Sequence, residues 1–157
     1  MMEESLGINP SINKFNIRVY GIAISSKMEV LLCEENYHEK QFTKFPGGGL
    51  EFGEGPKDCL IREFKEELNL SIKVIEHFYT TDFYVNSSFD TNSQIISIYY
   101  IVYPLEKMEF KVSLSSHNYE VKEGAQSVRW IKLSELKEND FSLIIDRKVG
   151  EMLINNN

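Results

Sequence analysis

Apolar residues fall in short runs or alternate along most of this chain, and only two segments carry a helical period. Residues 15–24 and 30–33 are rich in aliphatic and β-branched side chains. They predict two strands joined into a hairpin by the turn Ser25-Ser26-Lys27. Residues 37–44 are polar and predict a loop, and Pro46-Gly47-Gly48-Gly49 predicts a second one. A helix is expected to begin at Gly55-Pro56, because proline at the first helical position has the right φ and lacks only a donor that would be orphaned anyway. Asn69 is the expected stop, since asparagine tolerates the left-handed conformation that closes many helices.

Residues 71–84 and 94–103, dense in β-branched and aromatic side chains, predict strands with a polar loop at 85–93 between them. Further expected elements are a short strand at 109–114, a polar loop at 115–126, a strand at 127–132 and a helical turn at 134–137. A terminal helix is expected at 141–153, with Leu143, Ile144, Val149 and Leu153 in the core. Asn155-Asn156-Asn157 reads as a frayed end. Several strands around one central helix, closed by a second, imply a mixed α/β layered domain.

Composition narrows this picture. The 157 residues, 42% hydrophobic and 26% charged, suit one globular domain at 14–157 behind a loose polar arm at 1–13. A net charge of −7 argues against a nucleic-acid polymer or an anionic membrane as partner. It does not exclude a small phosphate-rich substrate, because a divalent cation reverses the local sign. Residues 1–14 hold no apolar stretch that would act as a signal peptide, and the run 95–105 is too short to span a bilayer. Cys33 and Cys59 fit no metal-ligand spacing and read as small core residues, which suits a reducing cytoplasm. Whether the chain forms a homodimer is left open.

The helix at 56–68 breaks local rules. At about 100° per residue, Leu60, Ile61, Phe64 and Leu68 form a core-facing arc, and Glu63, Glu66 and Glu67 share the adjacent arc. Glu63 and Glu67 are four apart, a like-charge spacing that costs roughly 0.2–0.5 kcal/mol. Glu66 and Glu67 also sit in the last turn, where the helix dipole disfavours anions. One reading is a solvated acidic face. The other is a site for a hard divalent cation, for which clustered carboxylates are the natural ligands. The glycines upstream favour the second, since they let backbone approach closely and expose a carbonyl as a further oxygen ligand.

Gly48, then Glu54 after five residues, then after seven more Arg62-Glu63-Phe64-Lys65-Glu66-Glu67-Leu68-Asn69-Leu70, resembles the Nudix box of the Nudix hydrolase superfamily, the MutT-like proteins. Every defined position matches except Asn69, where the family carries glycine. Val128-Arg129-Trp130-Ile131 and Ser134-Glu135-Leu136 are similar to the strand and short helix that often close this domain. The resemblance implies an α/β/α sandwich around a mixed β-sheet, of the Nudix type. It implies that Glu63, Glu66 and Glu67 hold metal together with the Gly47 carbonyl, that Arg62 orients the carboxylates, and that Glu54 is structural or an outer metal ligand.

The implied reaction is Mg²⁺-dependent hydrolysis of a diphosphate bond in a nucleoside diphosphate linked to another moiety X, with Mn²⁺ able to substitute. The metal neutralises phosphate charge and activates the attacking water, and a glutamate takes its proton. Glu123, also a candidate metal ligand, is the distant candidate for that base, Glu120 the reserve, and a box glutamate the remaining option. Arg18, alternating with Ile17 and Val19, and Lys44 are the candidate substrate-binding residues. Tyr20, Tyr79, Phe83, Tyr84 and Tyr99 are available for stacking but suit packing better, and His38 and His117 belong to no constellation. ADP-ribose hydrolases of the family tend to carry a proline soon after the box, and none lies between Pro56 and Pro104 here. The substrate therefore stays open among a modified nucleoside triphosphate, a nucleotide sugar and another diphosphate. A catalytically silent nucleotide-binding sensor is the alternative, although such proteins usually lose box carboxylates that this chain keeps.

Overall fold

The computed structural model describes residues 8–107 and 126–156. Its elements are β1 (Lys14–Ala23), β2 (Glu29–Tyr37), β3 (Lys40–Lys44), β4 (Gly47–Gly49), α1 (Pro56–Leu68), β5 (Ile72–Thr80), β6 (Ser93–Pro104), β7 (Gln126–Lys132) and α2 (Ile144–Asn155), with a 3-10 turn at Glu138–Asp140 before α2. One sheet runs β4-β1-β6-β5 and a second runs β3-β2-β7. β1 and β6 pair in parallel and every other strand pair among the described residues is antiparallel, so the first sheet is mixed.

The strands are apolar on both sides because both sides are covered. In β1, Val19 and Ala23 enter the core that contains α1 residues Leu60, Phe64 and Leu68. The alternate residues Tyr20 and Ile22 enter the core that contains α2 residues Ile145, Val149 and Leu153. β2 divides the same way, with Leu31 and Cys33 on the first side and Val30 and Leu32 on the second. The result is the expected α/β/α sandwich. The closing strand β7 pairs with β2, and Arg129 Nε donates to the fully buried Glu34 Oε1 at 2.6 Å. Cys33 and Cys59 are buried and free, as their apolar contexts suggested.

The expected hairpin of the first two strands is corrected. Ser25 N donates to Glu29 O at 2.8 Å and Ile24 bridges Val30, but beyond that turn β1 and β2 enter different sheets. The edges of β1 are taken by β4 and β6, and those of β2 by β3 and β7. The loop expected at 37–44 is mostly strand β3, held in register with β2 from Cys33↔Lys44 to Tyr37↔Lys40. The turn between them places His38 (φ 49°) and Glu39 (φ 60°) in the left-handed region. The glycine run is also strand: β4 pairs with β1 through Arg18↔Gly49, Val19↔Gly48 and Tyr20↔Gly47. A Cβ on Gly47 (φ 149°) would run into the Val19 carbonyl and the Tyr20 backbone, so no other residue fits.

Helix α1 keeps its expected bounds. Asn69 adopts φ 47°, ψ 37°, and its N–H donates to Lys65 O at 3.1 Å. The expected core stripe shifts by one residue: Cys59 is buried and Ile61 is 44% exposed. The helix is rolled toward its Glu63 side because the glycine strand beneath it has no side chains to hold it off, and Cys59 Sγ donates to Gly49 O at 3.4 Å.

At the other end, Phe141 precedes α2 and packs its ring on Gly150, where a Cβ would stand 2.5 Å from a ring carbon. That contact sets the roll of α2, so Ile145 is buried in place of the expected Ile144, which is 59% exposed. Leu143 is half-buried, and Val149 and Leu153 are core as expected. The strand expected at 109–114 and most of the loop at 115–126 lie outside the described residues.

Candidate active site

Helix α1 lies against the glycine strand, and that contact builds the site. A Cβ on Gly48 would occupy the space of the Glu63 carboxyl, so glycine is what admits Glu63 to the sheet. The Glu63 side chain is only 12% exposed. Arg62 ties the neighbouring groups together. Its Nε and Nη2 donate to the two Glu54 oxygens at 3.0 and 2.7 Å, a bidentate fork. Its Nη1 donates to Glu63 Oε1 at 3.0 Å and Glu66 Oε2 at 3.1 Å, and Nη2 also reaches Gly49 O at 3.1 Å. Hydrogen bonds from Arg62 and from the Glu51 N–H hold Glu54 at a pKa of about 2. Hydrogen bonding to Glu54, then the pull of Glu63 and Glu51, raises Arg62 above the ordinary arginine value. Arg62, the expected orienting arginine, thus hydrogen-bonds to Glu54, Glu63 and Glu66.

Glu67 belongs to the other side of the helix edge, at a cavity of about 630 Å³ whose wall also includes Arg18, Lys44, Tyr20, Tyr99 and Asp146. Solvent reaches Glu67, yet the cavity wall desolvates its carboxyl. That burial, with the like charges of Glu63 and Glu35, raises its pKa against the pull of Lys44 and Arg18. Lys44 lies 3.4 Å from Glu35 Oε1 with its side chain 8% exposed. Burial opposes its charge, but Tyr20, Glu35 and Glu67 outweigh that and raise its pKa. Arg18 Nε donates to the Tyr20 hydroxyl at 2.8 Å. Both candidate substrate-binding cations therefore line one cavity with a box carboxylate.

Among the described residues, no three His, Cys, Asp or Glu side chains converge to hold a metal ion as they stand. Arg62 engages Glu63 and Glu66, while Glu67 stands at the cavity wall. The donor chemistry still fits a hard divalent cation: three carboxylates, one of them with its pKa raised partly by another, make a site of excess negative charge beside backbone that carries no side chains. Glu120 and Glu123 lie outside the described residues. Cys33 and Cys59 offer no nucleophile, since burial pushes both thiols up to about 12.

Sequence reasoning missed Asp146. It is 1% exposed in the apolar face of α2, and its Oδ1 accepts the Tyr99 hydroxyl at 2.5 Å. Its Oδ2 is buried without a hydrogen-bond partner among the described residues. Burial raises its pKa to about 7, against the Tyr99 hydrogen bond and the charges of Lys44 and Arg18. The available signal was an aspartate three and seven residues before Val149 and Leu153, on the face that packs inward. Tyr20 and Tyr99 are buried, as packing would require, but they pack as cavity wall.

Comparison with known proteins agrees with this architecture. The NUDIX domain model matches residues 14–149. The fold is similar to a MutT structure from work on Aliivibrio salmonicida and Vibrio cholerae, at 23% identity over 92% of this chain and 100% of that one, TM-score 0.57. It is similar to MutT from Methanosarcina mazei, at 17% identity over 92% and 96% of the two chains, TM-score 0.63. An ADP-ribose pyrophosphatase from Streptococcus suis aligns at 15% identity over 90% of each chain, TM-score 0.58. No curated protein sequence matches. The sandwich, with the box helix seated on a glycine strand, has the fold of these Nudix structures. The chain belongs to the NUDIX domain family.

Proposed function

We propose that this protein hydrolyses the diphosphate linkage of a nucleoside diphosphate joined to a second group X, with Mg²⁺ as its cofactor and Mn²⁺ able to replace it. The observation that carries the reading is the placement of Arg62, Glu54, Glu63 and Glu66 in one hydrogen-bonded cluster beside a cavity that also holds Arg18, Lys44 and Glu67. Glu63, Glu66, Glu67 and the Gly47 carbonyl are the proposed metal ligands, with Glu123 added from the segment before β7. When bound, the cation supplies charge neutralisation on the phosphates and a more acidic water.

The protein's own groups do the rest. Arg62 holds Glu54, Glu63 and Glu66 in one hydrogen-bonded array. Arg18 and Lys44 attract the phosphates and set them against the box. Glu123 takes the proton of the attacking water, a role that needs only an ionised carboxylate within hydrogen-bond reach. Two buried free thiols suit a cytoplasmic setting.

The test is a panel of nucleoside diphosphate derivatives with Mg²⁺, reading orthophosphate, pyrophosphate or monophosphate as product. Release of a nucleoside monophosphate supports the reading. Metal and nucleotide together are expected to raise the melting temperature, by about 2.7 kcal/mol of stability at a hundred times the dissociation constant. Binding without turnover across the panel would replace the hydrolase with the silent sensor, and an unchanged melting curve would remove the metal site altogether.

A further inference from the structure

One wall of the cavity is fastened from outside by residues that do not line it. Residues 85–90, in the segment that leads into β6, form part of the wall, while the described arm residues 8–14 do not. The root of the loop is closed by its own backbone: Ile95 N donates to Val85 O and Ser87 N to Ser93 O, both at 2.8 Å. Beyond that root the chain turns on side chains. The backbone N–H groups of Phe89 and Asp90 donate to Ser87 Oγ at 3.2 Å, and that of Asn92 donates to Asp90 Oδ1 at 3.1 Å.

The arm grips this second turn. The backbone N–H groups of Asn13 and Lys14 donate to Asn92 O at 2.9 and 3.3 Å, and Asn92 Nδ2 donates back to Ser11 O at 3.0 Å. Asn9 shapes the arm for this, its Oδ1 accepting Ser11 N and Oγ at 3.1 and 2.7 Å. Lys14 Nζ meets Asp90 Oδ2 at 3.2 Å. Asp90 thus folds its own loop with one oxygen, is held by the arm at the other, and stands in the cavity wall. The Asn92 N–H, and then Lys14, hold its carboxyl below the ordinary aspartate value, so the pair is charged at neutral pH.

This hold is polar and open to water: the Lys14 and Asp90 side chains are 63% and 43% exposed. Exposed ties of that kind add little to global stability. They do set the position of a loop that has few buried contacts of its own. Position matters here, because Phe89 at the loop's turn stands 5.0 Å from Tyr37 of β2, so the loop reaches from one sheet to the other across the cavity.

We propose that Lys14 and Asn92 are positioning residues that strap the 85–93 loop in its ligand-accepting place, so that the N-terminal arm sets substrate affinity from outside the cavity; the proposal rests on the hydrolase reading above in taking this cavity as the substrate site. A ligand meets only the fraction of molecules whose loop is in place, and loosening the strap raises the apparent Kd by that fraction. The box does not share in the change, since Arg62 and its partners are tied together within residues 49–66.

The test uses the full chain in EDTA with ADP as probe, reading affinity by calorimetric titration and loop order by hydrogen–deuterium exchange over residues 85–93. Lys14→Met and Asn92→Ala are each expected to weaken ADP about threefold and to speed loop exchange, with the melting temperature and the exchange of β1 unchanged. Lys14→Arg is expected to restore both. Asp90→Asn separates the strap from simple charge. Removing an anion from the cavity wall tightens ADP by charge alone, whereas loss of the hold on Lys14 weakens it, and weaker binding is the expected result. Unchanged or tighter binding in Asp90→Asn, loop exchange unmoved in the variants, or a failed rescue by Lys14→Arg would each overturn the strap. Wild-type protein that binds no ADP would count against the nucleotide reading, and loop exchange would then decide the strap alone: faster in both variants upholds it, unchanged overturns it.

Discussion

Gly48 and Glu63 share one space: the carboxyl of Glu63 sits where a side chain at position 48 would begin. The glycine is therefore a condition for the helix to present its carboxylate to the sheet. Gly48→Ala is expected to push Glu63 out of its bond with Arg62 and lower turnover about a hundredfold, as loss of one active-site electrostatic group does. Overpacking adds a stability cost of about 1–3 kcal/mol. Turnover with Mg²⁺ and melting in EDTA on one preparation separate the two effects. Normal activity would mean that Glu63 does not need this seat.

Glu66 is 59% exposed on its side chain and pairs with Arg62 at i,i+4. An exposed pair of that kind is worth about 0–1 kcal/mol, so Glu66→Gln is expected to leave metal-free stability nearly unchanged. As a metal ligand, however, it supplies charge that an amide does not, and Mg²⁺-dependent turnover is expected to fall by about a hundredfold or more. A melting temperature that drops while activity per folded molecule holds would assign Glu66 to the scaffold instead.

Glu54 contributes to acid stability. Its carboxyl is held at about 2 by Arg62, below the usual 4.5. The stabilisation is complete above pH 4.5 and is lost as the pH falls toward 2. Glu54→Gln is expected to lower the melting temperature at pH 7 and to match the wild type near pH 2. Denaturation curves across that range check the convergence, and a gap that stays constant with pH would rule out the linkage.

Asp146 has the opposite sign. Its folded pKa of about 7 lies above the ordinary 3.8, so the folded state holds the proton more tightly. Stability therefore declines as pH rises from about 4 to about 7, and the penalty is complete above pH 7. Asp146→Asn keeps an oxygen for the Tyr99 hydroxyl and is expected to be the more stable protein at pH 8. The gain is a few kcal/mol at about 1.4 kcal/mol per pKa unit, and the advantage shrinks toward pH 4. Urea titrations at pH 4.5 and 8 measure it. A variant less stable at both would show that the ionised carboxylate is not a burden on the fold.

Glu123→Gln tests the proposed base. The amide keeps the size and cannot take a proton, so turnover is expected to fall much more than metal–nucleotide affinity. Near-normal turnover would transfer the role to Glu120 or to a box glutamate.

Much of this protein is written locally. The bounds of α1, the left-handed stop at Asn69, the closing strand and the clustering of Glu63 and Glu66 around Arg62 all follow from interactions within a few residues, where propensity, capping and helical spacing operate. What the tertiary structure alone decided is which surfaces meet. Strand propensity in β2 could not say that its partners are β3 and β7 rather than β1, because an apolar run buried on both faces pairs equally well with any neighbour. The roll of α1 toward Cys59, and of α2 toward Ile145, was set by Gly48 and Gly150, whose missing side chains matter only once another element lies against them. Arg18, Lys44 and Asp146, far apart along the chain, became one cavity wall only when the two sheets and the second helix closed on each other. A sequence records each charge with its neighbours in the chain, while a cavity depends on long-range packing.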